Sequence, residues 1–326
     1  MNKKLTLLLC LKDRSEYTQS WISNNIYEDF EYIIADGSNN DKNLQIFKEN
    51  SFTNINYIQF PFDKDIKTYI SKVISAINNV KTPYIMRVDN DDIIVKDGLE
   101  ACIKKLENDS HYDIAQANMR GINMKKGDYN NPKYSLVPGI KENFTDLVGY
   151  TGLEAIKRGL NPYRQLWYAV YRTNTYRNIW LDIQESKINN IFLIEILQAQ
   201  CAYIYSKIYY IDKTYYLRLN NPVSSTTLDN QTHDYPNWHN IFFDQEYRDE
   251  VKKMGHYVSN KLNCDERLIF DIYRKMYAGM DRKQIRIRKQ ITLGLSLLLS
   301  KLLIFIFPSL NGKKIKSISA LFNYLS

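Results

Sequence analysis

Three carboxylates stand within four residues at Asp89, Asp91 and Asp92, with Asn90 between the first two. Anions this close repel one another unless a cation offsets them. A divalent metal suits the place, because hard Mg²⁺ or Mn²⁺ takes oxygen ligands and often bridges one or two carboxylates to a substrate phosphate. Alternatively the stretch is an acidic turn in which Asn90 or Asp92 caps the next helix. A second acidic, turn-rich stretch, Asp36-Gly37-Ser38-Asn39-Asn40-Asp41, lies upstream.

The elements around these stretches must bring them together. Residues 4–11 are apolar throughout, as in a strand buried on both faces. Ser15 is the expected N-cap of a helix running to about Asn24. Tyr32-Ile33-Ile34-Ala35 and Ile55-Asn56-Tyr57-Ile58 are expected strands, with Asp41 capping a helix between them. Tyr69, Ile70, Val73, Ile74, Ile77 and Val80 recur at three and four residues, an amphipathic helix. Tyr84 to Val88 is the strand that opens into the acidic cluster. A helix through Leu99, Cys102, Ile103 and Leu106 and a strand from Asp113 to Asn118 follow. This alternation predicts an α/β fold with a mostly parallel sheet and helices on both faces. Ligands of such sheets bind beyond the carboxyl ends of the strands, so both acidic stretches should line one cleft. No GxGxxG and no GxxxxGK[ST] occurs, which removes the dinucleotide fingerprint and the P-loop.

The ordered set Cys10-Leu11-Lys12-Asp13-Arg14-Ser15-Glu16-Tyr17, Asp36-Gly37-Ser38 and Asp89-Asn90-Asp91, with Asp92 following, resembles family 2 glycosyltransferases of the GT-A (Rossmann-like) fold. The resemblance covers residues 4 to about 220. It departs at Cys10-Leu11, where the family usually has Pro-Thr at the base-binding pocket. It implies a metal-dependent, inverting transfer from a nucleotide-diphosphate sugar to a hydroxyl acceptor. Asp36 would hydrogen-bond the nucleobase, Asp89 would contact the ribose or the metal, and Asp91 would ligate Mn²⁺ or Mg²⁺. Arg218, Ser224 and Ser225 match positions that face the diphosphate. The chain lacks the QxxRW element of processive members, which points to transfer of one sugar rather than polymer synthesis. A GT-A-like binding or scaffold protein without turnover is the alternative.

The later residues supply further candidates. Residues 119–165, rich in Gly, Asn, Pro and Lys, are expected to contain a mobile loop over the site. Leu166 to Arg172 reads as an aromatic strand, in which Trp167 and Tyr168 either stack on an acceptor sugar or belong to the core. On a helix over 189–205, Glu195 lies among Ile191, Ile194 and Leu197, where a carboxylate has a raised pKa and can serve as a general base. Asp182 and Glu185, in the loop-like stretch before that helix, are its rivals. Tyr209 to Arg218 reads as two short strands around a turn. His233 and His239 either reach the metal or are structural.

The composition bounds the partners. The chain has 326 residues and a formal charge of +8, yet residues 281–290 alone carry five cations and one anion, and Lys313, Lys314 and Lys316 follow. The excess is therefore terminal, unlike the spread across a domain that nucleic-acid binding uses. Ile291 to Phe307 holds 12 large apolar residues in 17, short for a spanning helix, between two basic clusters. This suits a helix lying on an anionic membrane surface, or one packed on the rest of the chain. Four widely spaced cysteines without a CxxC pair favour buried thiols in a reducing compartment. Expected from this are a catalytic domain over 1–225, a helical appendage over 226–285 and a membrane-associating tail over 286–326. The enzyme would be cytoplasmic, on the inner face of the cell membrane, where a glycan or lipid-linked acceptor is presented.

Overall fold

The computed structural model describes residues 3–50, 52–124, 134–137, 145–219 and 247–276. Its centre is β1 (Leu5–Leu11), whose Leu5, Leu7, Leu8 and Leu9 are fully buried. β1 is flanked in parallel by β2 (Glu31–Asp36) and β4 (Tyr84–Val88), with β3 (Ile55–Gln59) parallel outside β2. The order β3-β2-β1-β4 is a parallel half-sheet, whose four strands, though not their order, are expected from the sequence.

The other half departs from expectation. β8 (Val170–Arg172) pairs antiparallel with β4 and with β6 (Ile114–Met124), β9 (Ile208–Leu219) runs parallel to β6, and β5 (Ile93–Ile94) is antiparallel to β9. β7 (Tyr134–Leu136) adds antiparallel to β6. The fold is α/β as expected, but the sheet is mixed rather than mostly parallel. Only β8 of the expected aromatic strand is extended. The expected strand pair at 209–218 is one strand, whose register against β6 shifts on either side of Asn118. Asn118 fills that irregularity, donating to Asp212 at 2.8 Å and accepting from the Tyr210 hydroxyl at 2.5 Å.

Helices α1 (Ser15–Asn25), α2 (Lys42–Lys48), α3 (Ile66–Asn78) and α4 (Lys96–Asn108) lie where the sequence leads one to expect them. Their starts differ in detail. Ser15 is inside α1, and the residue before it, Arg14, is left-handed with no side-chain cap. Asp41 precedes α2 without a side-chain cap, whereas Asp65 caps α3 by accepting from Thr68 N at 2.7 Å. Two helices fall where loops are expected: α5 (Gly152–Leu160) and α6 (Thr173–Ser186). α6 packs on α3 and on α7 (Ile191–Tyr205), which Asn190 caps through Phe192 N and Leu193 N. α8 (Arg248–Leu262) packs on α7 and α6. The compact unit runs to Tyr273 and includes α8. Among the described residues no helix is long and apolar enough to cross a membrane.

Candidate active site

Strand register sets the site. Leu11 is level with Asp36 across β1 and β2, and Leu9 with Val88 across β1 and β4. The chain therefore leaves three neighbouring strands from one edge of the sheet, and the two acidic stretches meet there. Uncharged side chains join them. Asn43 is fully buried and donates to Asp13 O at 3.2 Å and Ser38 Oγ at 3.0 Å, and it accepts from Thr18 Oγ1 at 2.8 Å. Thr18 Oγ1 in turn accepts from Asn90 Nδ2 at 3.1 Å, and the same amide reaches Arg14 O at 3.2 Å. Asn90 therefore knits the acidic turn to the first loop rather than capping α4.

Asp36 ends β2 and is 1% exposed. Its Oδ1 accepts from Ser38 N at 2.9 Å and from Ser38 Oγ, and its Oδ2 accepts from Tyr57. The next residue, Gly37, has no room for a side chain, since a Cβ there would lie 2.5 Å from Asp63 Cγ. Asp63 is buried and paired with Lys72, whose Nζ also donates to Leu11 O at 2.8 Å. Burial raises the Asp63 pKa against the opposing pull of Lys72. The pair sits beneath the Asp36 turn and ties α3 to the end of β1.

The carboxylates of Asp89, Asp91 and Asp92 offer oxygens that all lie within 4.8 Å of one another. They are not equivalent. Asp92 is 4% exposed, accepts from Leu219 N at 2.8 Å, and has its pKa pushed well up by burial and by the charges of Asp91 and Asp89. It joins β9 to the acidic turn and does not cap α4. Asp91 accepts from Arg14 NH2 at 2.8 Å. Asp89 accepts from the Tyr168 hydroxyl at 2.5 Å and from the Arg87 guanidinium at 3.4 Å. An all-oxygen anionic set fits a hard divalent ion, and the more accessible Asp89 and Asp91 are the members able to face one.

Arg14 reaches Asp91 from an unusual backbone. Asp13 and Arg14 both lie in the left-handed region, with φ of 56° and 58°. That conformation costs a non-glycine residue roughly 1–2 kcal/mol. The second loop offsets the cost: Asp13 N donates to Ser38 Oγ at 2.7 Å, and Asp13 Oδ1 accepts from Asn39 N at 3.2 Å and Asn40 Nδ2 at 2.9 Å.

Glu195 on α7 accepts from the Tyr163 hydroxyl at 3.0 Å. Burial raises its pKa, the Asp89 charge adds to the rise, and Arg218, Tyr163 and Arg87 oppose it. Arg218 is desolvated, yet the nearby Tyr168, Glu195, Asp92 and Asp89 hold its guanidinium firmly charged. Glu195, Arg218 and Asp89 thus share one electrostatic neighbourhood. The rivals do not join it. Asp182 and Glu185 lie on α6, not in a loop, and both bind Tyr257 and Lys261 of α8.

The expected stacking of Trp167 and Tyr168 on an acceptor is not available in this arrangement. They are 6% and 5% exposed; Trp167 packs under Arg87 at 4.4 Å, and Tyr168 stacks on Tyr216 at 4.5 Å. Tyr168 enters the site through its hydroxyl. Ser224, Ser225, His233, His239 and the tail lie outside the described residues. Sequence reasoning overlooks Tyr57, Tyr163 and Tyr216, which hold the acidic groups. Among 26 tyrosines nothing local distinguishes them.

Residues 6–180 match the family described as Glycosyl transferase family 2, and the chain belongs to that family. It is a glycosyltransferase of GT-A type. Crystal structures of S. aureus TarS, residues 1–349, resemble it with a TM-score of 0.52 at 15% identity, covering 88% of this chain and 92% of that one. The same protein in complex with UDP-GlcNAc superposes with a TM-score of 0.55 at 14% identity, over 84% and 73%. At such identity the likeness is one of fold. Comparison with curated proteins finds no match.

Proposed function

We propose that this glycosyltransferase moves one sugar from a nucleotide-diphosphate sugar to a hydroxyl acceptor with inversion at the anomeric carbon. The observation that carries this is the convergence of the Asp36 turn and the Asp89–Asp92 turn on one sheet edge, held by Ser38, Asn43, Thr18 and Asn90. The nucleotide would lie along that edge, its base toward the Asp36 turn and its diphosphate toward Asp91. Asp89 and Asp91 would hold Mn²⁺ or Mg²⁺, which when bound offsets charge on the departing diphosphate. Arg218, charged and close to Asp89, is suited to the same anion.

Glu195 is the proposed base. A carboxylate with a raised pKa is a better proton acceptor than an ordinary one, provided that it is ionised at the working pH. Tyr163 fixes one of its oxygens, leaving the other for the acceptor hydroxyl. As that hydroxyl attacks the anomeric carbon opposite the diphosphate, its proton passes to Glu195 and the glycosidic C–O bond to the diphosphate breaks. One displacement accounts for inversion without a covalent intermediate.

S. aureus TarS is described in complex with UDP-GlcNAc and with UDP, which makes uridine nucleotides the first donors to try. The basic and apolar composition of residues 282–307 supports attachment to the cytoplasmic leaflet and a lipid-linked acceptor for surface glycan. Calorimetry with a nucleoside diphosphate and Mn²⁺ tests the core of this. Wild type should bind, and Asp91→Asn should lose metal-dependent binding while keeping its circular dichroism. Equal affinity in the two proteins refutes the assignment.

A further inference from the structure

The chain itself supplies cations to the acidic cluster, Arg87 at Asp89 and Arg14 at Asp91. Arg14 NH2 lies 2.8 Å from Asp91 Oδ2, with the two side chains 10% and 14% exposed. The guanidinium packs over the Tyr17 ring at 4.3 Å, and its buried Nε has no hydrogen-bond partner. Arginine seldom leaves a desolvated donor unused, since a buried N–H without an acceptor is costly. The side chain is thus held at Asp91 and over Tyr17 with its Nε unsatisfied, so that movement toward a second anion would give that donor a partner. Its backbone is held there too. The left-handed pair Asp13-Arg14 is fixed by Ser38, Asn39 and Asn40 on one side and by Asn90 on the other.

Resting on the functional reading above, we propose that Arg14 is a built-in competitor for the divalent metal at Asp91 and, once displaced, a ligand of the donor diphosphate. A metal ion and a guanidinium repel at the same carboxylate, so the ion binds Asp91 against the Arg14 charge. The diphosphate resolves the conflict. It brings an anion to the same edge, gives the guanidinium a second partner, and frees the Asp91 oxygen. Metal alone should therefore bind weakly, and metal and nucleotide should bind cooperatively. The cleft would stay closed to stray divalent ions until a donor arrives.

The test uses the full chain and two separate ligands. Free Mn²⁺ is measured by electron paramagnetic resonance during titration of wild type, Arg14→Gln and Arg14→Lys. Calorimetry with a nucleoside diphosphate is then run at saturating Mn²⁺. Arg14→Gln should bind Mn²⁺ at least roughly threefold more tightly, the scale of one partly exposed ion pair. It should bind the nucleotide about tenfold more weakly, the scale of one charge-assisted hydrogen bond. Arg14→Lys keeps the charge and should bind Mn²⁺ like wild type. These opposite shifts are not what misfolding produces. Unchanged Mn²⁺ affinity in Arg14→Gln, or weakening of both ligands, overturns the proposal. If Mn²⁺ binding tightens in Arg14→Gln but wild type binds no nucleotide, the competitor stands and the donor reading fails.

Discussion

Replacing Lys72 by Met should destabilise the protein by several kcal/mol and loosen the Asp36 turn. The Lys72 and Asp63 side chains are 1% and 4% exposed, and Lys72 Nζ serves both Asp63 and Leu11 O. Methionine keeps the volume and the apolar stem but removes the charge. Asp63 is then a buried carboxylate without its paired cation, left with only the field of Lys12, its Oδ1 already lacking a partner. Breaking one side of a buried pair costs about 3–5 kcal/mol. The lower end applies near neutral pH, because Asp63 can escape by taking up a proton. About 3 kcal/mol is a substantial share of the roughly 5–15 kcal/mol that holds a protein folded. The pH dependence follows from the sign of the shift. Burial already raises the Asp63 pKa, and without Lys72 it rises further. A carboxyl whose folded pKa exceeds its unfolded value stabilises while protonated and loses that contribution as pH rises through the folded pKa. The deficit of Lys72→Met should therefore be smaller at pH 5 than at pH 8. Urea unfolding followed by circular dichroism at both pH values measures it. A loss below about 1 kcal/mol, or a deficit that does not shrink at pH 5, refutes a buried, mutually dependent pair.

Three further outcomes are expected. Gly37→Ala should cost about 1–3 kcal/mol by overpacking against Asp63 and weaken nucleotide binding, and the cost should fall in an Asp63→Ala background, as read by thermal melts. Asp92→Asn should stabilise the protein in EDTA, more at pH 8 than at pH 5, because Asp92 has a raised folded pKa and its ionised form is the unfavourable one; a lower melting temperature than wild type at pH 8 counts against this. Glu195→Gln should keep nucleotide affinity and lose transfer by at least about 10²-fold, and the wild-type rate should fall on the acid side at a pH above the ordinary glutamate value. Persistence of that acid limb in a still-active Glu195→Gln identifies another base.

The parallel half of the fold is written in local pattern. β1, β2 and β4 are short apolar runs that stop at polar turns, and α3 and α4 carry clear apolar stripes, so the elements and their shared edge follow, while the spatial order of the strands does not. The antiparallel half is not local. β8 is three residues long and its direction is set by partners far away in sequence, β4 and β6. α6 carries a legible stripe in Tyr176, Ile179, Trp180 and Ile183, but it follows β8 without a side-chain cap to mark its start. α5 opens on a glycine, which masks it in the same way. The acidic residues of the site are visible as types and spacing. What holds them is not: Tyr168 and Asp89, or Tyr163 and Glu195, meet only once the sheet is assembled. Whether an aromatic faces solvent is likewise a property of the packed structure, which is why the sequence leaves Trp167 and Tyr168 open between acceptor platform and core, and the fold buries both.

The joints between the loops are amides and hydroxyls: Asn43, Thr18, Asn90 and Ser38. None of these groups gains or loses a proton over the range in which carboxylates and arginine's partners change charge. These joints are electrically silent, while the residues they carry and the supports at Asp13, Asp63–Lys72 and Asp92 are charged. Acidifying the solution, or adding a divalent ion, alters the field in the cleft and leaves these four joints intact. A change of activity with pH in this enzyme is therefore to be traced either to the reacting groups or to the charged supports beneath them, Asp63 and Asp92, and not to these four joints.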